Sequence, residues 1–171
     1  MIEQINAAID CCNQLKVDNV KKKTKGEVWT PIECVEEMLS CLSDNTWNNP
    51  DIKFYDPCTG KGQFILCIIR RLLEHFEYQH IIENMIYSAE LCEDNTADYL
   101  RFVNPDNLYR VNHYCGNSLK FDAKKHFNVA DGFDRIVGNP PYSNSINKKK
   151  LENIEKIAKK KVLHPIKAIV N

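Results

Sequence analysis

Ile52-Lys53-Phe54-Tyr55-Asp56-Pro57-Cys58-Thr59-Gly60-Lys61-Gly62-Gln63-Phe64-Ile65 is the stretch on which the fold turns. Residues 52–55 read as a short strand, and Asp56 to Gly62 as a loop. Phe64, Ile65, Ile68 and Leu72 then fall on one face of a helix. Strand, glycine loop and helix make the first half of a βαβ unit, which presents ligands at the carboxyl end of its strand. Gly60 and Gly62 let the backbone approach a ligand, and the helix N-terminus behind them attracts an anionic group such as a carboxylate. The loop lacks the Gly-Lys-Ser/Thr ending of a phosphate loop. It also falls short of G-x-G-x-x-G, because Ile65 occupies the last position. Two glycines alone would serve a purely steric turn equally well.

Outward from this stretch, the apolar spacing alternates between helix and strand periods. Ile2, Ile5, Ile9 and Cys12 share one face of an N-terminal helix, which fades at the basic linker Lys21 to Gly26. Thr30-Pro31-Ile32-Glu33 reads as a capping box, with Ile32, Val35, Leu39 and Leu42 as the following apolar stripe. After turn-rich residues 43–51 and the central stretch come a strand over 85–91, a helix over 94–102, and strands over 109–115 and 134–137. The alternation implies an α/β fold with a parallel sheet and flanking helices. Beyond it, Leu151, Ile154, Ile157 and Ala158 can form one more helix, ended by His164-Pro165.

Composition narrows the function classes. The 171 residues carry 23 basic and 23 acidic side chains, so no global charge attracts a polyanion. The distribution is uneven: from Tyr142 onward 8 lysines face 2 acids, leaving a net −6 on residues 1–141. The longest apolar run, Phe64 to Ile69, is far too short to span a membrane, and nothing resembles a signal peptide. The eight cysteines form no C-x-x-C pair and mostly sit in apolar patterns. They read as reduced packing residues of a cytoplasmic protein, with no metal site expected.

The chemistry-bearing residues cluster at strand ends. Asn139-Pro140-Pro141-Tyr142 follows the apolar run Arg135 to Gly138. Two prolines stop strand pairing, and the residue before a proline is held extended, so Asn139 is presented in a fixed direction. Its amide oxygen and a neighbouring carbonyl can accept the N–H bonds of a planar amino group while Tyr142 stacks on the ring that carries it. Transfer to the exocyclic amine of a nucleobase needs this, once the base has left the stack. The bland alternative is a proline-terminated turn with a packed tyrosine. Glu90 ends the second strand, where a carboxylate can accept both hydroxyls of a ribose.

These residues resemble the amino-methyltransferases that use S-adenosyl-L-methionine, above all the restriction-modification type of DNA adenine-N6 methyltransferase. The similarity covers the Asn-Pro-Pro-Tyr motif, Asp56 to Phe64, and Gly26-Glu27-Val28-Trp29-Thr30-Pro31. The family often has phenylalanine at the place of Trp29. The resemblance implies a Rossmann-like class I methyltransferase fold and catalytic roles for Asn139, Pro140, Pro141 and Tyr142. It implies a cofactor pocket of Thr30, Asp56, Pro57, Cys58, Gly60, Gly62, Phe64 and Glu90. Asn117 and Ser118 join them, although the family commonly has an aspartate where Asn117 stands; Phe121 and Asp122 could share the adenine end.

The same resemblance sets the expected organisation: an N-terminal helix and linker over 1–25, the methyltransferase domain over 26–142, and a basic helical tail over 143–171. The family's sheet usually continues past the catalytic strand, so the chain is expected to be a fragment or subunit of bacterial, phage or viral origin. Expected partners are DNA, with the adenine flipped out, and a missing C-terminal half, specificity subunit or nuclease. A protein-glutamine or ribosomal-RNA amino-methyltransferase also uses Asn-Pro-Pro-Tyr and remains an alternative. A non-catalytic cofactor-binding remnant is the other.

Overall fold

The computed structural model describes residues 1–14 and 29–141. The linker 21–26, the lead residues 26–28, Tyr142 and the expected tail helix lie outside the described residues.

Strands β1 (Phe54–Asp56), β2 (Ile86–Glu90), β3 (Asn112–Cys115) and β4 (Arg135–Ile136) form one sheet in the order β3-β2-β1-β4, with every pair parallel. The last three lie within their expected ranges. The first is shifted forward, because Lys53 is engaged by Asp134: its N–H donates to the Asp134 carboxylate (2.8 Å), and its carbonyl accepts from the Asp134 and Arg135 N–H groups. The chain lays down β1, β2 and β3 toward one side, then returns to add β4 on the other side of β1. That reversal opens a crevice at the carboxyl ends of the central strands, the usual ligand position in open α/β sheets.

Helix α1 is Ile2–Gln14, α2 Ile32–Ser40, α3 Asn45–Asn48 and α4 Gln63–Leu72. Helix α5 (Tyr78–His80) runs into a π-helical turn, Ile81–Met85; α6 (Glu93–Val103) and α7 (Ala123–His126) follow. The apolar residues of α4 are buried from Phe64 to Leu72, beneath α1 and α2. Its two arginines point outward and grip Glu36 of α2 at 2.8 and 3.0 Å. The N-terminal helix shares this core through Ile5, Ala8, Ile9 and Cys12, whereas Ile2 is exposed. Every residue of β2 is buried, as expected of a parallel strand covered on both faces.

The opposite face has different chemistry. Tyr55 and Tyr87, side by side in register, pack with Ala89 and Val129 under Phe121, Phe127 and Phe133. Phe121 stacks on Tyr114 with ring centroids 4.0 Å apart, and Asp122 caps α7. Neither residue joins the crevice, contrary to the sequence expectation. Cys12, Cys67 and Cys92 are buried, but Cys11, Cys34, Cys41 and Cys115 are exposed, so packing explains only part of the cysteine content. Among the described residues no helix is long and apolar enough to cross a membrane.

Candidate functional site

A cavity of about 450 Å³ opens at the carboxyl ends of all four strands. Pro57 to Lys61 after β1, Glu90 to Cys92 after β2, Asn117 to Leu119 after β3 and Asn139 to Pro141 after β4 form its walls. Trp29 and Thr30, just ahead of α2, close it from another direction. Its size falls in the ordinary range for small-molecule sites.

The wall between β1 and β2 is pinned by backbone donors. One Glu90 carboxylate oxygen accepts from the Gly60 N–H at 2.7 Å and the other from the Cys92 N–H at 2.8 Å. The Thr59 N–H donates to the Ala89 carbonyl at 2.9 Å, so the glycine loop is fastened to the neighbouring strand. Glu90 is 8% exposed and still lines the cavity. Each of its oxygens keeps a second lone pair, enough to accept a pair of vicinal hydroxyls.

Gly62 holds φ at 101°, and a Cβ there would stand 2.7 Å from the ring of Tyr99. Its need for glycine therefore comes from the helix α6 behind it rather than from the cavity. Tyr99 is itself held by Ser88, whose hydroxyl donates to the Tyr99 oxygen at 3.2 Å and lies 2.8 Å from His113 Nδ1. Burial pushes the His113 imidazole down to about 4.

Asp56 is buried behind the wall, not in it. It accepts from the Cys58 N–H at 3.0 Å. Burial pushes its carboxyl up to about 7 against that bond, and the charge of Glu90 adds to the rise. The same Asp56 oxygen would lie 2.4 Å from a Cβ on Gly138, whose φ is 147°. The glycine loop and the end of β4 therefore interlock at one point, Asp56 against Gly138.

Past that point Asn139 enters the cavity, and its Nδ2 donates to Thr30 Oγ1 at 3.1 Å. The expected capping box does not form. Pro31 occupies the cap position of α2 with no side-chain cap bond, which leaves the Thr30 hydroxyl for Asn139. Asn117 caps the 3₁₀ turn Ser118–Lys120 by accepting from the Leu119 N–H at 3.0 Å.

Of the residues singled out from sequence, Thr30, Pro57, Cys58, Gly60, Phe64, Glu90, Asn117, Ser118, Asn139, Pro140 and Pro141 line one cavity. Asp56 and Gly62 support it from behind. Sequence reasoning missed Leu91 and Leu119, 67% and 94% exposed at its rim, and Gln63, Lys61 and Asn95 in its lining. A leucine directly after β2 and another in the short turn that follows β3 were the available signal. Trp29 lines the cavity, and its buried indole Nε1 has no hydrogen-bond partner among the described residues. Among those residues, no group of His, Cys, Asp and Glu could hold a metal ion.

Sequence comparison adds a lineage to this geometry. The profile of the N-6 DNA methylase family matches residues 15–168. The chain belongs to that family. It is also similar to a Mycoplasma pneumoniae protein named an uncharacterized adenine-specific methylase, being 33% identical over 139 residues. The aligned part is 72% of this chain and 30% of that relative's length. Family membership agrees with the parallel α/β sheet that the sequence anticipated.

Proposed function

We propose that this member of the N-6 DNA methylase family transfers a methyl group from S-adenosylmethionine to the exocyclic N6 of adenine in DNA. The observation that carries the reading is the convergence of Glu90, the Gly60 loop and Asn139 on one cavity at the carboxyl ends of a parallel sheet. The donor set suits such a cofactor. A charged acceptor faces the place of a ribose, a glycine loop opens a helix for an anionic end, and exposed leucines stand ready for a flat ring.

In this reading Glu90 accepts from the ribose hydroxyls while its two backbone bonds keep it from turning. Pro57, Cys58, Phe64, Asn117 and Ser118 shape the pocket; Asp56 and Gly62 set the loop from behind. The cofactor supplies a methyl group already activated for displacement. The Asn139 amide oxygen and the Pro140 carbonyl accept the two N–H bonds of the target amine, orient its lone pair and stabilise positive charge as it develops. Tyr142, two residues past Pro140, is assigned the stacking contact on the flipped base. The test is transfer of a labelled methyl group to DNA, RNA and protein by the purified chain, alone and with a downstream segment or partner subunit added. Label on adenine N6 of DNA is expected; label confined to RNA or to glutamine side chains would overturn the substrate assignment.

A further inference from the structure

The Thr30 hydroxyl has no task in its own helix. Helix α2 starts from Pro31 without a side-chain cap bond, although a threonine at this place would ordinarily be expected to cap. Its recorded partner is the Asn139 amide nitrogen, 109 positions away in sequence, at 3.1 Å. A carboxamide carries its nitrogen and oxygen on opposite branches, so engaging the nitrogen turns the oxygen to the other side. No donor among the described residues reaches that oxygen. In the reverse orientation an NH₂ group would meet the amino group of the target, donor against donor. The backbone of Asn139 is fixed by Gly138 packed on Asp56 before it and by Pro140 after it, but neither restrains the rotation of the carboxamide.

We infer that Thr30 is a positioning residue: it holds the Asn139 carboxamide so that the amide oxygen faces the amine to be methylated, and it acts through Asn139 rather than through the cofactor. The inference rests on the amino-methyl-transfer reading and deepens it.

Three chains decide it: wild type, Thr30→Val, which keeps the branched shape and removes the oxygen, and Thr30→Ser, which keeps the oxygen. In nitrogen-15-labelled protein the Asn139 side-chain amide pair, assigned by its disappearance in Asn139→Asp, should shift in Thr30→Val and stay in place in Thr30→Ser. Affinity for S-adenosylmethionine by calorimetry should agree within about twofold across all three, while turnover at saturating cofactor and DNA falls about tenfold in Thr30→Val and recovers in Thr30→Ser, the scale of one lost neutral hydrogen bond. An Asn139 amide pair that ignores Thr30→Val overturns the inference, as does a tenfold loss of cofactor affinity with that pair unmoved. Should Thr30→Val not fold, Thr30→Ala is judged by the same readings. Absence of transfer in wild type, with and without a downstream segment or partner subunit added, would sink the methyl-transfer reading alone, because the amide pair still reports whether Thr30 holds Asn139.

Discussion

The loop after β1 and the segment after β4 face the same cavity but are held in different ways. The first sits between two interior strands, and its backbone is fastened by the Glu90 carboxylate at Gly60 and Cys92 and by Thr59 on Ala89. The second hangs from a strand of two residues at the sheet edge, where Ile136 is 57% exposed. It is held by the Val137 N–H on Tyr55, by Gly138 against Asp56, and by one side-chain bond from Asn139 to Thr30. Many backbone bonds make a firmly fastened wall. A few side-chain contacts make an arm whose aim can be changed without disturbing that wall. Binding and chemistry should therefore separate under mutation.

Asp56 is where the two regions meet, and it carries the largest expected effect. Its carboxyl is raised from an ordinary 3.8 to about 7, so the folded chain holds a proton that the unfolded chain releases. A raised group contributes its stability fully below the unfolded value and loses it as pH climbs through the folded one. Asp56→Asn removes the ionisation while keeping the shape. Its stability relative to wild type should rise from about pH 4, level off above about 7, and reach on the order of 4 kcal/mol. His113 contributes an opposite slope common to both proteins, which the difference cancels. Urea unfolding from pH 4.5 to 8.5 reads this directly, and parallel curves for the two proteins would remove Asp56 as the shared post.

Gly138→Ala comes next. Its Cβ would collide with a buried carboxylate at a φ of 147°, for a loss of roughly 3 kcal/mol in stability. Gly132→Ala is the control. Its φ of 90° is also unfavourable, but its Cβ would meet only the flexible end of Lys124 at 3.5 Å, so about 1–2 kcal/mol is expected. Equal losses in the two variants would mean that the interlock with Asp56 adds nothing. Asn139→Ala tests the arm alone: methyl transfer should fall by about 10²-fold or more while cofactor affinity stays near wild type. Full turnover by that variant would end the acceptor role.

How much of this could be read from the chain differs between the same two regions. The wall was legible, because Phe54 to Leu72 switches from strand to helix spacing across a glycine loop, and interior strands need apolar runs that stand out. The short helices α3, α5 and α7 were not, since three or four residues complete no period. The arm was legible at Asn139 through its prolines, but not in its attachments. Thr30 matched the local grammar of a helix cap and the structure spends it on a residue 109 positions distant. Gly138 looked like an ordinary strand end because a close approach to Asp56 leaves no mark in composition or period. Local rules report local bonds; contacts between remote loops become visible only in three dimensions.

A comparably small effect is expected at the wall. Glu90→Ala removes the acceptor proposed for the ribose hydroxyls and also releases the Gly60 and Cys92 N–H groups. Loss of a charged acceptor from hydroxyl partners costs about 1–3 kcal/mol of binding, so cofactor affinity should fall by roughly 5- to 150-fold. Glu90→Gln separates the two duties. Its one carbonyl oxygen can keep a single backbone partner, while its NH₂ opposes the second N–H, so the loop should loosen even though the side chain retains its size. Calorimetry with S-adenosylmethionine, paired with hydrogen exchange at the Gly60 and Cys92 amides, distinguishes a direct contact from a scaffold. Faster exchange at both amides with undiminished affinity would make Glu90 a fastening of the loop and nothing more. Protected amides with weakened binding would place the loss at the cofactor itself, and with it the claim that the wall binds while the arm reacts.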